Sequence, residues 1–199
     1  MRKLGIIAVL SLLVVALGAT AAFAVDSKSF RMPRSQIAVA NDCLEGARAH
    51  VDVTTTLTDQ QVMDVTVNHA PKNTEFELFV TQQPNSPFGI SWYQSDFETN
   101  NHGHGEVRAR GIFSEELFAV APGSVAAPQV DAKDAATNPA FDPVHTYHLG
   151  LWFSTPEDAQ AAGCPGTVTP FDGGGHNAGV QAFSTRNFGA LHGPLRSIE

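Results

Sequence analysis

Histidine offers the widest choice of chemistry in this sequence, because imidazole binds transition metals and exchanges protons near neutral pH. The chain has 8 histidines, and two of them, His102 and His104, flank a glycine in a polar stretch between predicted strands. Side chains two residues apart in an extended segment point to the same side, so this pair is suited to hold one divalent metal ion. Further oxygen ligands could come from Asp96, Glu98 or Glu106. The alternative is two solvated turn histidines, since tight sites need three or four converging ligands.

Catalytic motifs are absent from the sequence. It has neither a G-x-S-x-G nucleophile elbow nor an H-E-x-x-H zinc motif. His145 and His148 are three residues apart in a predicted strand, so they point to opposite faces, and we expect one to be buried and the other exposed. Two carboxylates that meet in space leave no sequence signature. An extracellular hydrolase therefore stays open as an alternative, and a binding or interaction module is favoured over an enzyme.

Aromatic residues are the candidates for ligand contact. The pairs Trp92–Tyr93 and Trp152–Phe153 lie in predicted strands. Neighbouring residues of a strand face opposite ways, so one member of each pair could be exposed and stack on a sugar ring or anchor a protein partner. The alternative is that Trp92 and Trp152 belong to the core. Trp92, Tyr93 and Trp152 are therefore the predicted ligand contacts.

The two cysteines, Cys43 and Cys164, predict a disulfide, because an even pair outside the cytoplasm is most simply a bridge. Closing so long a loop is worth about 4–5 kcal/mol in the chain-entropy model. A catalytic thiol is the competing interpretation, and it would require one of the two sulfurs to be free.

The amino end has the pattern of a cleavable secretory signal peptide over residues 1–24. Arg2 and Lys3 precede an apolar run that ends in the small-residue site Ala22-Phe23-Ala24. A membrane-spanning helix needs about 20 apolar residues, and this run is shorter. We therefore expect a secreted, extracellular protein without a membrane anchor, since the carboxyl end also lacks a membrane tail or wall-sorting signal.

The charge balance excludes some classes of partner. The whole chain has a formal charge of −8, and loss of the predicted signal peptide removes two further positive charges. A negative surface repels phosphate backbones and anionic lipids. Neither nucleic acid nor a membrane is therefore an expected partner, whereas an extracellular protein or glycan is. Solubility alone is the simpler explanation of the charge.

Hydrophobic residues alternate with polar ones in several short segments, as in half-buried strands. After an extended lead-in over residues 25–41, the first predicted strand places Val51, Val53, Thr55 and Leu57 on one face. Two more strands follow, over residues 62–67 and 76–80, and two successive hairpins are the economical arrangement. Further strands are predicted over residues 90–94, 106–113, 117–120, 144–153 and 180–184, with a polar turn over 96–105 and a long surface excursion over 122–143.

One helix is predicted, directly before Cys164. Thr155 can cap it, Pro156 suits the first helical position, and Gly163 can end it. A bridge from Cys164 would then fasten this helix to the chain that enters the first strand. Seven or eight short strands with one short helix predict an all-β fold, a single β-sandwich of immunoglobulin-like or related type over residues 42–199, with a small barrel as the alternative.

Three segments resemble secreted proteins of unassigned function from high-GC Gram-positive bacteria. They are Pro87–Gln94, Val144–Phe153 and Gly175–Gln181. The resemblance extends over about Cys43 to Leu195 and implies export. It supplies no catalytic, cofactor or binding residues. The leading functional prediction is a secreted, disulfide-bonded binding module, the second is a secreted metal-binding protein using His102 and His104, and the third is the hydrolase.

Overall fold

The computed structural model of the protein describes residues 26–58, 60–89, 91–113, 115–116, 144–171, 176–190 and 192–198. Several predictions fall outside these ranges. They concern the signal peptide over residues 1–24, the strand over 117–120 and the excursion over 122–143.

Twelve strands, two short α-helices and a terminal 3₁₀ helix make up the described part of the chain. The strands are β1 (Ser27–Met32), β2 (Arg48–Thr55), β3 (Gln61–Asn68), β4 (Glu75–Thr81), β5 (Ser91–Glu98), β6 (Gly105–Gly111), β7 (Glu115–Glu116), β8 (Val144–His145), β9 (His148–Phe153), β10 (Thr169–Phe171), β11 (His176–Ala178) and β12 (Gln181–Ser184). The helices are α1 (Gln36–Ala40), α2 (Pro156–Ala161) and the 3₁₀ helix Pro194–Ile198.

Two antiparallel four-stranded sheets form a β-sandwich, as the sequence predicts. Sheet A has the strand order β1-β2-β3-β6, and sheet B has the order β12-β9-β4-β5. Two small ribbons, β7–β8 and β10–β11, accompany them. The predicted lead-in over residues 25–41 contains β1, which pairs with β2 along its whole length, and the helix α1.

The core lies between the two sheets and is built by alternation. In β2 the side chains of Val51 and Val53 are fully buried, and in β3 the buried residues again come every second position. Sheet B contributes a group of aromatic rings, in which Phe76 packs at 5.1 Å from Phe153 and 5.8 Å from Phe97. Leu57 does not join this face: β2 ends at Thr55, and Leu57 is 75% exposed in the turn that follows.

The first predicted hairpin is confirmed and the second is wrong. β2 and β3 pair in antiparallel register, but β3 belongs to sheet A and β4 to sheet B. The connection between them crosses the sandwich beside the turn that joins β5 to β6. Hydrogen bonds of 3.1 Å from Ala70 N to Gly103 O and 2.9 Å from Asn73 N to Thr99 O hold the two crossings together. Short connections of this kind resemble hairpin turns in sequence, because both use turn residues.

The predicted strand over residues 144–153 is split in two. β8 pairs with β7, whereas β9 lies between β12 and β4 in sheet B. Thr146 and Tyr147 separate them: the hydroxyl of Thr146 donates to Phe113 O at 3.1 Å, and Tyr147 O accepts from Leu195 N at 3.2 Å. Contacts with distant parts of the chain therefore replace the ladder at these two positions.

The helix prediction is confirmed by α2 and its cap. Thr155 is the N-cap, its hydroxyl oxygen accepts a 3.0 Å hydrogen bond from Asp158 N, and Pro156 occupies the first turn. The predicted disulfide is also present: Cys43 and Cys164 are bonded, with their Cα atoms 5.2 Å apart. The bridge joins the segment between α1 and β2 to the end of α2.

Candidate functional site

His102 and His104 lie in the turn between β5 and β6, where the predicted metal pair was placed. One side-chain oxygen, Asn100 Oδ1, accepts from the backbone N–H groups of both residues, at 2.9 and 3.2 Å. The ring of His104 is also engaged, since its Nδ1 lies 2.9 Å from Asn68 Oδ1. Asp96 and Glu98 belong to β5 and not to the turn. Among the described residues, no group of three or more His, Cys, Asp or Glu side chains is arranged to hold a metal ion.

Trp152 lies on the side of sheet B that faces away from sheet A, but it is fully buried. Its indole packs edge-to-face on Phe88, at 4.9 Å, and on Phe79, at 5.4 Å. These rings and Ala178 form a second small cluster, outside the main core. Sheet B is thus covered on both faces at β9, which is why Trp152 and Phe153 are both buried despite pointing in opposite directions.

Trp92 and Tyr93 are both exposed, at 40% and 46%. Simple alternation would bury one of them. The pairing of β4 with β5 shifts register between Leu78, which faces Ser95, and Phe79, which faces Tyr93. A bulge of this kind redirects side chains and bends the strand. Trp92 then pairs with Val80 without a further shift, so it points to the opposite face from Tyr93, and both are exposed because β5 is an edge strand of sheet B.

Carboxylates accompany these aromatic residues on the same edge of the sheet. The register places Glu75 opposite Glu98 and Glu77 opposite Asp96. Glu75, Asp96 and Glu98 are exposed, whereas Glu77 is buried. Like charges directly opposite each other in a sheet are destabilising. The negative charge concentrated at this edge therefore lowers the stability of the fold. We call Tyr93, Asp96, Glu98 and Glu75, which share the face of sheet B that points away from sheet A, the β5 surface.

The phenol of Tyr93 is held in place within this surface. Its ring meets Phe79 edge-to-face at 5.7 Å. Partial burial, the hydrogen bond with Asp96 and the negative charges of Asp96, Glu77 and Glu75 together raise the pKa of Tyr93 to about 12. The hydroxyl therefore stays protonated at any physiological pH and can donate to a carboxylate, while the outer face of the ring remains free for a ligand.

Ser29, His50 and Asp52 form a cluster on the outer face of sheet A, but their geometry differs from a catalytic triad. Ser29 Oγ lies 3.0 Å and Asp52 Oδ2 lies 3.4 Å from the same ring nitrogen, His50 Nε2. A triad needs the carboxylate on Nδ1 and the nucleophile on Nε2, so that the histidine can relay a proton. The three residues are a polar row of the sheet surface.

The sequence analysis missed the carboxylates of the β5 surface as partners of Tyr93. The signal that could have found them is the spacing of two residues in both Glu75–Glu77 and Asp96–Glu98, which puts each pair on one face of a strand. Their meeting depends on the pairing of β4 with β5, which local patterns do not reveal.

Comparison of the chain with protein-family models, with curated proteins and with solved structures found no match. Within the described ranges, no helix is both long and apolar enough to span a bilayer. Function is therefore inferred from the side chains of this chain and their arrangement.

Proposed function

We propose that the protein is a secreted binding module whose β5 surface recognises an extracellular protein through exposed lysine or arginine side chains. The observation that carries the proposal is the exposed Tyr93 beside carboxylates that face one another across β4 and β5, with Trp92 exposed on the other face of the same edge strand. Trp and Tyr are the residue types that most often dominate binding energy at protein interfaces. Export is supported by the Cys43–Cys164 bridge and by the signal-peptide pattern of residues 1–24.

A cationic partner suits this surface better than a neutral or anionic one. The face of an exposed tyrosine attracts a lysine or arginine side chain by about 0.5–1 kcal/mol. A cation placed between Glu75 and Glu98 would also relieve the repulsion between these opposed carboxylates. The negative charge of the whole chain, −8, would steer a basic partner toward the protein and increase its association rate.

Sheet B offers β5 to a partner more openly than its other strands. The described side chains of β9 and β12 are buried, and those of β4 are buried except Glu75. In β5, by contrast, Trp92, Tyr93, Asp96 and Glu98 are exposed. The bulge and the carboxylates also guard this edge against pairing with a second copy, as natural edge strands commonly do. A positively charged partner is not repelled by these carboxylates.

Binding to defined peptides tests the proposal. Protein purified from the culture medium is titrated with a synthetic peptide of alternating lysine and serine, and with a matched peptide of alternating glutamate and serine. We expect binding of the lysine peptide alone, weakened by salt because exposed charges are screened. Tyr93→Ala should lower the affinity about tenfold or more, and the double variant Asp96→Asn/Glu98→Gln should lower it further.

The matched control removes the same two charges from the other sheet. Asp52 and Glu106 are exposed on the outer face of sheet A, so Asp52→Asn/Glu106→Gln changes the net charge equally and leaves the β5 surface intact. Equal losses in the two double variants would mean that the peptide senses only net charge, and the proposal would fail. A pull-down from the secreting organism's envelope with wild type and Tyr93→Ala then identifies the proteins that depend on this surface.

A further inference from the structure

We infer that a cavity beside β12, which is the edge strand of sheet B opposite β5, binds a neutral oligosaccharide. The cavity has a volume of about 300 Å³ and lies between the start of α1, the loop between β4 and β5, the segment that leads into β10, and β12. This size is at the lower end of small-molecule sites and fits about one sugar ring. We call it the amide cavity, because the side-chain amides of Gln36, Asn85 and Gln181 line it.

The lining decides the chemical class of the ligand. None of the described side chains around the amide cavity carries a charge, in a chain with 20 acidic and 12 basic residues. A charged ligand would lose its hydration without gaining an opposite charge. The three amides and Thr169 supply hydrogen-bond donors and acceptors, and Phe88 supplies an aromatic surface. A sugar, which has hydroxyl groups around an apolar ring face, matches this set of hydrogen-bonding groups beside an aromatic surface.

A second cavity, of about 360 Å³, adjoins the first. Asn85 and Ser86 line both cavities, so the two cavities lie on either side of the loop that contains these residues. Its described lining is again uncharged and includes Gln83 and Phe188. Two uncharged cavities that share Asn85 and Ser86 favour an oligosaccharide with a ring in each cavity.

The walls of the amide cavity are fixed before a ligand arrives. Ser35 caps α1, accepting from Ala38 N at 3.1 Å, and its hydroxyl donates to Gln181 O, which holds the helix against β12. The 2.9 Å hydrogen bond from Gln83 N to Phe88 O closes the loop. The Cys43–Cys164 bridge joins the chain that follows α1 to the chain that leads into the opposite wall. Little ordering would therefore be needed on binding.

A neutral peptide is the main competing occupant. Proline-rich peptides are recognised in grooves lined by several aromatic residues, whereas each of these cavities has a single phenylalanine, Phe88 in one and Phe188 in the other. The cavities are also separated by a loop instead of forming one continuous groove. An oligosaccharide, whose rings project hydroxyls in all directions, fits two pits joined at a polar residue better.

The test uses neutral trisaccharides of glucose, mannose and N-acetylglucosamine, with trigalacturonate as the acidic comparison and a proline-rich peptide as the competing occupant. Binding to the secreted protein is measured by calorimetry and by saturation-transfer NMR. We expect at least one neutral trisaccharide to bind. Gln181→Leu and Asn85→Ala should each lower its affinity about tenfold or more, because a site built to hydrogen-bond a hydroxyl loses that contact.

Two variants separate binding from folding and from the β5 surface. Gln36 is exposed at the rim of the cavity, so Gln36→Leu should fold normally and still weaken the trisaccharide. Tyr93→Ala should leave trisaccharide affinity unchanged, even if the proposed peptide binding fails. The inference would be overturned if no neutral trisaccharide bound, if trigalacturonate or the proline-rich peptide bound more tightly, or if Gln36→Leu and Asn85→Ala both bound as wild type does.

Discussion

His148 makes the stability of the fold depend on pH above the range in which carboxyl groups titrate. The side chain is fully buried, with Nδ1 2.9 Å from Thr185 Oγ1 and Nε2 3.0 Å from Ala190 O. Because a carbonyl only accepts, Nε2 donates to Ala190, and in the neutral ring Nδ1 accepts from the Thr185 hydroxyl. That hydroxyl oxygen accepts in turn from Leu149 N at 3.1 Å. The neutral imidazole thus completes a hydrogen-bonded chain.

Burial lowers the pKa of His148 below its ordinary value of 6.5, and backbone hydrogen bonds at Ala190 and Gly189 oppose the shift only in part. The low-dielectric interior disfavours the imidazolium form. In the unfolded chain the same histidine titrates near its ordinary value. Below that value the unfolded state takes up a proton that the folded state does not. The free energy of unfolding is therefore highest above about pH 6.5 and falls as the pH decreases below it.

The size of this effect follows from the linkage of one proton to folding. Each pH unit between the folded and unfolded pKa values of His148 changes the free energy of unfolding by about 1.4 kcal/mol. Between about pH 7.5 and about pH 5.5 the unfolded state takes up this proton almost completely, which removes up to about 1.4 kcal/mol. For a domain of this length, that loss lowers the melting temperature by about 3–6 °C.

Urea unfolding at the two pH values measures the effect, with His148→Gln as the test variant. Glutamine keeps a donor and an acceptor but does not titrate. The variant should therefore be less stable than wild type at the higher pH, and its free energy of unfolding should decrease less than that of wild type when the pH is lowered. His102→Gln, in an exposed turn, is the control and should retain the pH dependence of wild type. If His148→Gln loses as much stability between the two pH values as wild type, the buried imidazole is not the cause.

Three further changes test other parts of the structure. Cys43→Ser/Cys164→Ser opens a loop with a sequence separation of 121 and should cost about 4–5 kcal/mol, seen as a lower melting temperature under oxidising conditions; unchanged melting would contradict the bridge. Gly103 has a φ of 70°, and a Cβ there would clash with the neighbouring crossing, so Gly103→Ala should destabilise the fold by more than about 1 kcal/mol in urea. Zn²⁺ or Cu²⁺ titration tests the predicted pair His102 and His104, for which the described residues offer no third His, Cys, Asp or Glu ligand; binding that His102→Ala/His104→Ala abolishes would establish the site, and equal affinity in the double variant would remove it.

Local patterns in the sequence predicted the elements whose causes are themselves local. The alternation around Val51 and Val53 predicted β2 and its buried face, and Thr155 with Pro156 predicted the start of α2. The disulfide followed from the number and expected compartment of the cysteines. Each of these depends on neighbouring residues or on composition, which is why a single sequence was enough.

Predictions that depended on the partner of a strand were less successful. The β3–β4 hairpin was wrong, because turn residues around Pro71 serve a crossing between sheets as well as they serve a hairpin. The strand over residues 144–153 was drawn as continuous, because nothing local shows that Thr146 and Tyr147 bond to distant segments. Register and sheet membership are long-range properties, and alternation alone does not specify them.

The same long-range pairing creates the β5 surface. A β3–β4 hairpin would have placed β4 in sheet A, beside β3. Because β4 instead lies between β9 and β5, its carboxylates meet those of the edge strand, and the bulge beside Phe79 turns Tyr93 outward next to them. The crossing between sheets, which the hairpin prediction missed, therefore places β4 where its carboxylates meet those of β5, with Tyr93 beside them and Trp92 on the other face of the same strand.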